Sequence, residues 1–257
     1  MIAVISDIHS NLEALEAVLA DIDRRGADRI VCLGDVVGYG PNPRECLDRV
    51  RERATVALMG NHDWAVLYEP KQFNAVAEGA AFWTRRQLET EPDAALRGAR
   101  WEFLATLEIK QTLQEDGAGS GDLTFVHGSP RRPVNEYIFP DDVYGSAQKV
   151  QGLFDRFGQL CFVGHTHVPG VFVDTPDFYS PEELDDVYPI DALHQALINV
   201  GSVGQPRDRD PRASYVLVEG PTVRFVRVEY DVEAVARKVH DIQDLDDSVG
   251  LRLAEGR

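Results

Sequence analysis

The sequence predicts an α/β fold in which a parallel sheet forms at the start of the chain and a second sheet follows. Over residues 1–59, short apolar runs alternate with helical patterns, and strands that alternate with helices form parallel sheets with right-handed crossovers. From residue 123 to 228 the apolar runs follow one another closely, which indicates a largely antiparallel sheet. Hydrophobic residues make up 44% and charged residues 27% of the 257 residues, as in ordinary globular proteins.

The first strand–helix–strand unit is marked by clear start and stop signals. Residues 2–6 are an apolar run that predicts a buried strand. Ser10-Asn11-Leu12-Glu13 matches a capping box, which predicts that a helix starts at Ser10, and Gly26 is a typical helix stop. Between these two positions, apolar residues recur at helical spacing at Leu12, Leu15, Leu19 and Ile22. Residues 30–33 are predicted to form the second strand.

The pattern then repeats. Asn42 is a predicted N-cap, Pro43 fits the first helical position, and Glu45 completes a second box. Residues 55–59 form a predicted third strand. Ligands of open α/β sheets bind outside the carboxyl ends of the strands, and the polar residues just past these three strands are Asp7, Asp35 and Asn61.

The rest of the chain reads as two helices followed by short strands. Residues 73–107 look helical, with a break at Pro92 and three core candidates, Phe82, Trp83 and Leu88. The predicted strands of the second sheet are residues 123–126, 160–163, 171–173, 196–200, 215–218 and 223–228. Residues 232–242 resemble a closing helix. We expect a single domain over residues 1–244 and a polar, poorly ordered tail over 245–257.

Charge and cysteine content limit the classes of substrate and the cellular location that we expect. The net charge is -17, from 43 acidic and 26 basic residues, so the protein would repel extended nucleic acid and anionic membranes. A small phosphorylated substrate stays compatible, because bound metal ions reverse the local potential of a site. No signal peptide or membrane span is visible in the sequence, so a cytoplasmic location is expected. Cys32, Cys46 and Cys161 are predicted to be buried, reduced thiols.

Three polar motifs follow the three predicted strands. Asp7-Ile8-His9 projects a carboxylate and an imidazole to the same side of an extended chain, although a capping Asp beside an exposed His explains the same residues. Gly34-Asp35 and Gly60-Asn61-His62-Asp63 also fit ordinary turns when taken alone. Carboxylates in one cleft repel each other unless a cation lies between them. The shared position of the motifs at the sheet edge therefore favours a metal site.

Histidines follow two of the later strands. His127 comes directly after residues 123–126, and Gly164-His165-Thr166-His167 follows residues 160–163. A lone histidine at a strand end is usually structural, but His-x-His presents two imidazoles on one side of the chain. Together with His9 and His62, these motifs use five of the seven histidines. His194 and His240 have no neighbouring ligand pattern and are predicted to be structural or exposed.

The ordered blocks Asp-x-His, Gly-Asp, Gly-Asn-His-Asp, His and Gly-His-x-His resemble the calcineurin-like metallophosphoesterase superfamily. They span Asp7 to His167, and residues 201–207, Gly-Ser-Val-Gly-Gln-Pro-Arg, look like those of small bacterial phosphodiesterase-like members. The resemblance implies an α/β fold arranged as a four-layer α/β/β/α sandwich with two mixed sheets. That architecture agrees with the parallel and antiparallel halves inferred from the strand spacing.

The resemblance also implies roles for particular residues. A first metal ion would be bound by Asp7, His9, Asp35 and His167, and a second by Asp35, Asn61, His127 and His165, with Asp35 bridging the two. Mixed nitrogen and oxygen ligands suit Mn, Fe, Ni, Co or Zn better than Mg or Ca. His62, which is not a ligand in the matched pattern, is the candidate catalytic residue that protonates the leaving oxygen or stabilises its charge.

One block departs from its relatives. Protein Ser/Thr phosphatases and diadenosine tetraphosphate hydrolases of the superfamily carry Gly-Asp-x-x-Asp-Arg-Gly, whereas this chain has Gly38 and Tyr39 where they have Asp and Arg. The departure disfavours those two substrate classes. Asp63 is an alternative partner to orient His62, and the alternative phosphate contacts are Arg131, Arg132 and Arg207.

The sequence thus predicts a dinuclear metal-dependent phosphoesterase that hydrolyses a small phosphodiester or phosphomonoester by metal-activated water, with a slight preference for diesters. The alternative is a catalytically silent scaffold of the same fold that binds a protein partner. Such relatives lose ligands or the catalytic histidine, whereas this chain keeps all of them. A nuclease is disfavoured by the acidic charge. The natural substrate, the physiological metals and the oligomeric state are left open.

Overall fold

The computed structural model describes residues 1–115, 121–191 and 193–257. Within these residues the strands are β1 (Ile2–Ile5), β2 (Arg29–Cys32), β3 (Val56–Ala57), β4 (Lys110–Glu115), β5 (Gly121–Val126), β6 (Leu160–Val163), β7 (Gly170–Val173), β8 (Asp177–Tyr179), β9 (Val187–Pro189), β10 (Ala196–Asn199), β11 (Ala213–Glu219) and β12 (Thr222–Val228). The helices are α1 (Leu12–Arg25), α2 (Pro43–Arg53), α3 (Asn61–Leu67), α4 (Ala75–Glu89), α5 (Ala94–Thr106), α6 (Asp142–Gly145), α7 (Ala147–Phe154), α8 (Val232–His240) and α9 (Ser248–Leu251).

The described strands form two six-stranded mixed sheets, as predicted. The first has the order β3-β2-β1-β11-β12-β9, and its β3, β2 and β1 are parallel. The second has the order β4-β5-β6-β10-β7-β8, and its β5, β6 and β10 are parallel. Each sheet therefore contains one parallel triplet, and the remaining neighbours pair antiparallel.

The prediction that the later strands build a separate, largely antiparallel sheet is wrong in two respects. β11 and β12 join the first sheet, because β11 pairs with the free edge of β1, with Val4 opposite Val216. The connection from β5 to β6 contains α6 and α7, and this helical crossover makes the pair parallel. Strand spacing along the chain reveals neither the sheet edge that is free nor helices of four and eight residues.

The apolar residues divide into layers that confirm the four-layer sandwich. Alternate residues of a strand point to opposite faces of its sheet. Ile2 and Val4 of β1 face Phe125 and Phe162 of the second sheet in a core between the sheets. The outer face of the first sheet packs on α1, α2 and α5, and the outer face of the second packs on α6 and α7. Burial on both faces accounts for the uninterrupted apolar runs of β1, β6 and β10.

The helix boundaries agree with most of the predicted signals. Helix α1 ends at Gly26, whose φ of 75° is left-handed, and α2 begins at Pro43. The N-cap of α1 is Asn11, not Ser10: the Asn11 side chain accepts a hydrogen bond from Ala14 N. Ser10 has a φ of 55° and belongs to the loop after β1. The predicted third strand, residues 55–59, is reduced to two residues followed by an isolated bridge at Leu58.

Two helices, α4 and α5, form on either side of Pro92, as predicted. Trp83 and Leu88 are buried, but Phe82 is 41% exposed. Adjacent helical residues lie about 100° apart around the axis, so Phe82 and Trp83 cannot share the narrow inward face. The three cysteines are buried and free, as predicted, and burial raises the pKa of each thiol. Every helix in the described part of the chain falls short of the length and apolarity that a membrane span requires.

The end of the chain is ordered, which contradicts the predicted poorly ordered tail. Residues 248–255 form α9 and a 3₁₀ helix, Arg252–Glu255. Leu245, Val249 and Leu253 are buried, the first two against α4, α8 and Tyr39. The tail is polar in composition, but its few apolar residues recur at spacing of about four and meet one apolar surface. That the chain forms a single domain stays a prediction.

Leu253→Ala provides a test of this packing. Leu253 is 2% exposed, so we expect the free energy of unfolding to fall by about 2–5 kcal/mol in urea titrations. Leu251 is 71% exposed, and Leu251→Ala is the matched control, with an expected change within about 0.5 kcal/mol. Equal, small effects of the two substitutions would show that the end of the chain is not packed in solution.

Candidate metal centre

The seven side chains predicted as metal ligands lie together at one edge of the sandwich. They follow the carboxyl ends of the two parallel triplets: Asp7 and His9 after β1, Asp35 after β2, Asn61 after β3, His127 after β5, and His165 and His167 after β6. The loops are joined by backbone hydrogen bonds, from Asp7 N to Gly34 O at 3.0 Å and from Gly164 N to His127 O at 2.9 Å. Each sheet thus supplies part of one site.

The backbone at this edge adopts an uncommon conformation. Five of the seven residues have left-handed φ angles between 48° and 65°, namely Asp7, His9, Asp35, His165 and His167. Residues other than glycine rarely adopt this conformation, and strained residues of this kind cluster at functional sites. The surrounding hydrogen bonds hold these loops where the side chains converge, at a cost in local conformational energy.

A first cluster consists of Asp7, His9 and His167, all buried. His167 Nε2 lies 3.1 Å from Asp7 Oδ1 and 3.2 Å from His9 Nε2. The other ring nitrogens face backbone carbonyls, His9 Nδ1 at 3.3 Å from Val37 O and His167 Nδ1 at 2.5 Å from Gln205 O. A proton on each Nδ1 leaves the Nε2 lone pairs directed at each other. A cation between them removes that repulsion.

A second cluster consists of Asp35, His127 and His165, joined by Asn61. His127 Nε2 lies 3.4 Å from Asp35 Oδ2, 3.1 Å from His165 Nδ1 and 3.2 Å from Asn61 Oδ1. Asp35 Oδ2 is also 3.7 Å from His9 Nε2 of the first cluster. The two clusters are therefore adjacent, and Asp35 lies between them.

The two carboxylates are anchored in the same way. Asp7 Oδ2 accepts a hydrogen bond from His165 N at 3.0 Å, and Asp35 Oδ1 accepts one from His62 N at 2.7 Å. The second oxygen of each carboxylate faces the imidazoles, and the buried Asp7 Oδ1 has no hydrogen-bond partner in the described chain. A buried, unpaired carboxylate oxygen is costly. The nitrogen and oxygen donors present fit divalent transition-metal ions.

The electrostatics favour the protonation states that metal ligands require. Burial opposes the ionisation of Asp7 and Asp35, but nearby imidazoles, chiefly His167 and His127 respectively, lower the pKa of both carboxyls. Burial lowers the pKa of His165 to about 3. His127 is the exception, because Asp35 and Asp7 outweigh its burial and raise its pKa to about 9.

His62 lies beside both clusters, in the first turn of α3. Its ring packs against Tyr39 at 4.5 Å, Phe73 at 4.6 Å and His9 at 4.8 Å between centroids, and burial lowers its pKa to about 4. It is close enough to His9 and Asp35 to share a metal ion with them. The structure thus places the predicted catalytic residue at the centre of the site.

The alternative in which Asp63 orients His62 is wrong. Both Asp63 oxygens accept backbone hydrogen bonds, from Gly60 N at 3.0 Å and from Val37 N at 3.2 Å. His62 Nδ1 is buried without a hydrogen-bond partner among the described residues. Asp63 instead ties the loop after β2 to the start of α3. Burial and the neighbouring Asp35 raise the pKa of Asp63 to about 7.

The three arginines predicted as possible phosphate contacts differ in their positions. Arg131 forms a salt bridge with Glu136, and Arg132 is exposed. Arg207 lies close enough to His62 and His167 to lower the pKa of both, and for His167 it is the largest influence after burial. Arg252, which no local sequence pattern marks, lies in the segment predicted to be a polar tail. Its guanidinium is 4.7 Å from the centre of the Tyr39 ring, and two of its buried nitrogens lack partners in the described chain.

Comparison with known proteins identifies the family. Residues 1–222 match the Calcineurin-like phosphoesterase superfamily domain. An uncharacterised protein of Methanocaldococcus jannaschii is 39% identical over 262 residues, covering 100% of this chain and 98% of the relative. The chain belongs to the calcineurin-like phosphoesterase superfamily.

Solved structures agree with this assignment. The crystal structure of a metallophosphoesterase from Sphaerobacter thermophilus is 39% identical, with a TM-score of 0.81 and coverage of 100% of this chain and 98% of that one. A hypothetical protein from Pyrococcus horikoshii OT3 shares the fold, with a TM-score of 0.73 at 21% identity and coverage of 100% and 99%. The sandwich is that of a calcineurin-like phosphoesterase family member.

Gly60→Ala tests the close contact between the loops. A Cβ at Gly60 would overlap the backbone and the carboxylate of Asp35, so we expect a lower melting temperature and weaker Mn²⁺ binding by calorimetry. Gly79→Ala, in helix α4 with open space around it, is the control and should be neutral or stabilising by about 0.5–1 kcal/mol. Unchanged stability and Mn²⁺ affinity in Gly60→Ala would contradict this arrangement of the loops.

Proposed function

We propose that this protein is a dinuclear metal-dependent phosphoesterase that hydrolyses a small phosphodiester or phosphomonoester. One observation carries the proposal: two buried Asp/His clusters lie side by side with Asp35 between them, since Asp35 Oδ2 is 3.7 Å from His9 Nε2 and 3.4 Å from His127 Nε2. Membership of the calcineurin-like phosphoesterase superfamily supports the same chemistry.

The proposed ligand sets divide the site between the sheets. The first ion is assigned to Asp7, His9, Asp35 and His167, and the second to Asp35, Asn61, His127 and His165. The donors suit Mn, Fe, Ni, Co or Zn. When bound, two such ions would polarise the phosphoryl oxygens and acidify a water for in-line attack.

The chain's own residues supply the rest of the reaction. Burial lowers the pKa of His62 to about 4 in the substrate-free protein. His62 is proposed to take up a proton when the negative phosphate lies beside it and to pass that proton to the leaving oxygen, because its ring lies between the first cluster and Phe73. Arg207 is the proposed phosphate contact, and its side chain is held by Gln205 Oε1 at 2.9 Å. The burial of the ligands limits access of bulk water, which strengthens each of these interactions.

The proposed substrate class follows from the residues beside His62 and from the net charge. Gly38 and Tyr39 stand where the Ser/Thr phosphatases of the superfamily carry Asp and Arg, and the Tyr39 ring occupies space beside His62 and His9. The proposed substrate is therefore a small phosphoester, with a slight preference for a diester. The net charge of -17 disfavours extended nucleic acid as a substrate. We also propose that the protein is cytoplasmic.

Metal-stimulated turnover would distinguish this enzyme from a non-catalytic scaffold.

The proposal is tested by His62→Ala with two diesters, one with a nitrophenolate and one with an alkoxide leaving group. We expect the variant to keep its metal ions, since His62 is outside the proposed ligand sets. Turnover should fall by about 10²–10⁴-fold for the alkyl ester and by less for the nitrophenyl ester, whose leaving group needs little protonation. His194→Ala, at an exposed histidine paired with Asp191, is the control and should match the wild type.

Each alternative outcome has a defined meaning. Loss of metal from His62→Ala would make His62 a ligand, and equal penalties for both esters would make it a phosphate-positioning group. If the wild-type protein, loaded with Mn²⁺, hydrolyses neither diester and also fails to hydrolyse the monoester p-nitrophenyl phosphate, the phosphoesterase proposal is wrong and the scaffold alternative is favoured.

A further inference from the structure

A cavity of about 610 Å³ opens beside the second cluster. Asn61 and His165, two proposed ligands of the second ion, form part of its lining. Its other walls carry three aromatic side chains, Trp64, Phe73 and Tyr137. The size falls within the range of small-molecule sites, which are concave, mostly apolar and bear a few polar groups.

We propose that this cavity is a subsite for a flat aromatic ring of the substrate, and that the substrate is a nucleotide-like phosphoester whose base occupies it. The inference rests on the proposed function, because it takes the phosphate to lie at the metal ions. The cavity and the second cluster share Asn61 and His165. A substrate whose ring lies in the cavity would therefore have its phosphate group next to the second cluster.

The walls come from separate parts of the chain. Trp64 is on α3 and Phe73 lies between α3 and α4, whereas Tyr137 lies between β5 and α6. The Tyr137 ring stacks on His165 with centroids 3.8 Å apart and an angle of 23° between planes. Phe73 packs on His62 at 4.6 Å. The aromatic surface is thus attached directly to the residues proposed to carry the reaction.

Exposure of these rings supports a binding role. Trp64 is 43% exposed and Tyr137 is 43% exposed, although both lie beside a buried site. Large apolar groups exposed together at a cavity mark a binding surface. Aromatic side chains bind flat bases by stacking, and every base has a π-face.

Polar groups at the same cavity suit a heterocyclic base better than a plain hydrocarbon ring. Lys71, Gln72 and Asn135 contribute to the lining, and their side chains offer donors and acceptors to ring heteroatoms. A larger cavity of about 740 Å³ contains none of the proposed ligands. Its charged residues are partly paired with each other, Arg227 with Asp208 and Arg212 with Asp210.

The test compares two diesters that share a leaving group. In p-nitrophenyl thymidine 5′-phosphate the second group is a nucleoside, and in methyl p-nitrophenyl phosphate it is a methyl group. With Mn²⁺ bound, we expect kcat/KM to be about tenfold or more higher for the nucleoside ester, because stacking of the base on an aromatic ring stabilises the bound substrate and transition state by at least that factor. Trp64→Ala should remove most of that preference, whereas Trp64→Phe, which keeps a ring, should retain it.

Tyr144→Ala is the matched control, because Tyr144 is 80% exposed and outside the lining of the cavity; its preference should equal that of the wild type. Equal kcat/KM for the two esters in the wild type would overturn the subsite and leave the phosphoesterase proposal intact. A nucleoside preference that persists in Trp64→Ala would also overturn it, since the base would then bind elsewhere. Absence of turnover for both diesters would overturn the subsite, and failure to hydrolyse p-nitrophenyl phosphate as well would overturn the proposed function with it.

Discussion

The repulsion between two buried carboxylates is the constraint on which the rest of the site depends. Asp7 and Asp35 are almost fully buried, and each has one oxygen satisfied by a backbone N–H and the other directed at imidazoles. His127 has a raised pKa, but the pKa values of His9, His165 and His167 are lowered, and neutral imidazoles cannot balance the remaining buried negative charge. Divalent cations bound between the carboxylates and the imidazoles would satisfy both groups. The left-handed loop conformations at these positions are the conformational cost of bringing the side chains together.

The sandwich meets this constraint by placing two parallel triplets in adjacent sheets. Parallel strands align their carboxyl ends at one edge, so the loops after β1, β2 and β3 meet those after β5 and β6. The apolar core between the sheets fixes the distance between the two sets of loops. Because the clusters are built on two rigid sheets, a change in sheet packing would separate Asp35 from His127 or His9. We therefore expect stability and metal binding to be coupled in this protein.

Local signals were sufficient to predict which side chains converge at the sheet edge, but not the sheet topology around them. Every predicted ligand comes soon after a short apolar run, and that pattern is visible within a few residues. The pairing of Val4 with Val216 depends on which sheet edge is free, which no local pattern encodes. The prediction that Phe82 is buried was wrong because two adjacent helical residues compete for one buried face. The packing of the C-terminal residues was not predicted because so few of them, including Val249 and Leu253, are apolar. Asp63 accepts hydrogen bonds from the nearby Gly60 N and from Val37 N, which becomes its neighbour only after folding.

Asp35 is proposed to join two metal sites, and the metal content of folded Asp35→Asn, measured after saturation with Mn²⁺ and gel filtration, tests this role most directly. We expect two ions per chain in the wild type and weakened binding of both in Asp35→Asn, because an amide oxygen carries no charge to bridge two cations. His9→Ala, which removes a proposed ligand of the first ion alone, should lose only that ion. Retention of both ions at wild-type affinity in Asp35→Asn would show that Asp35 does not join the two sites.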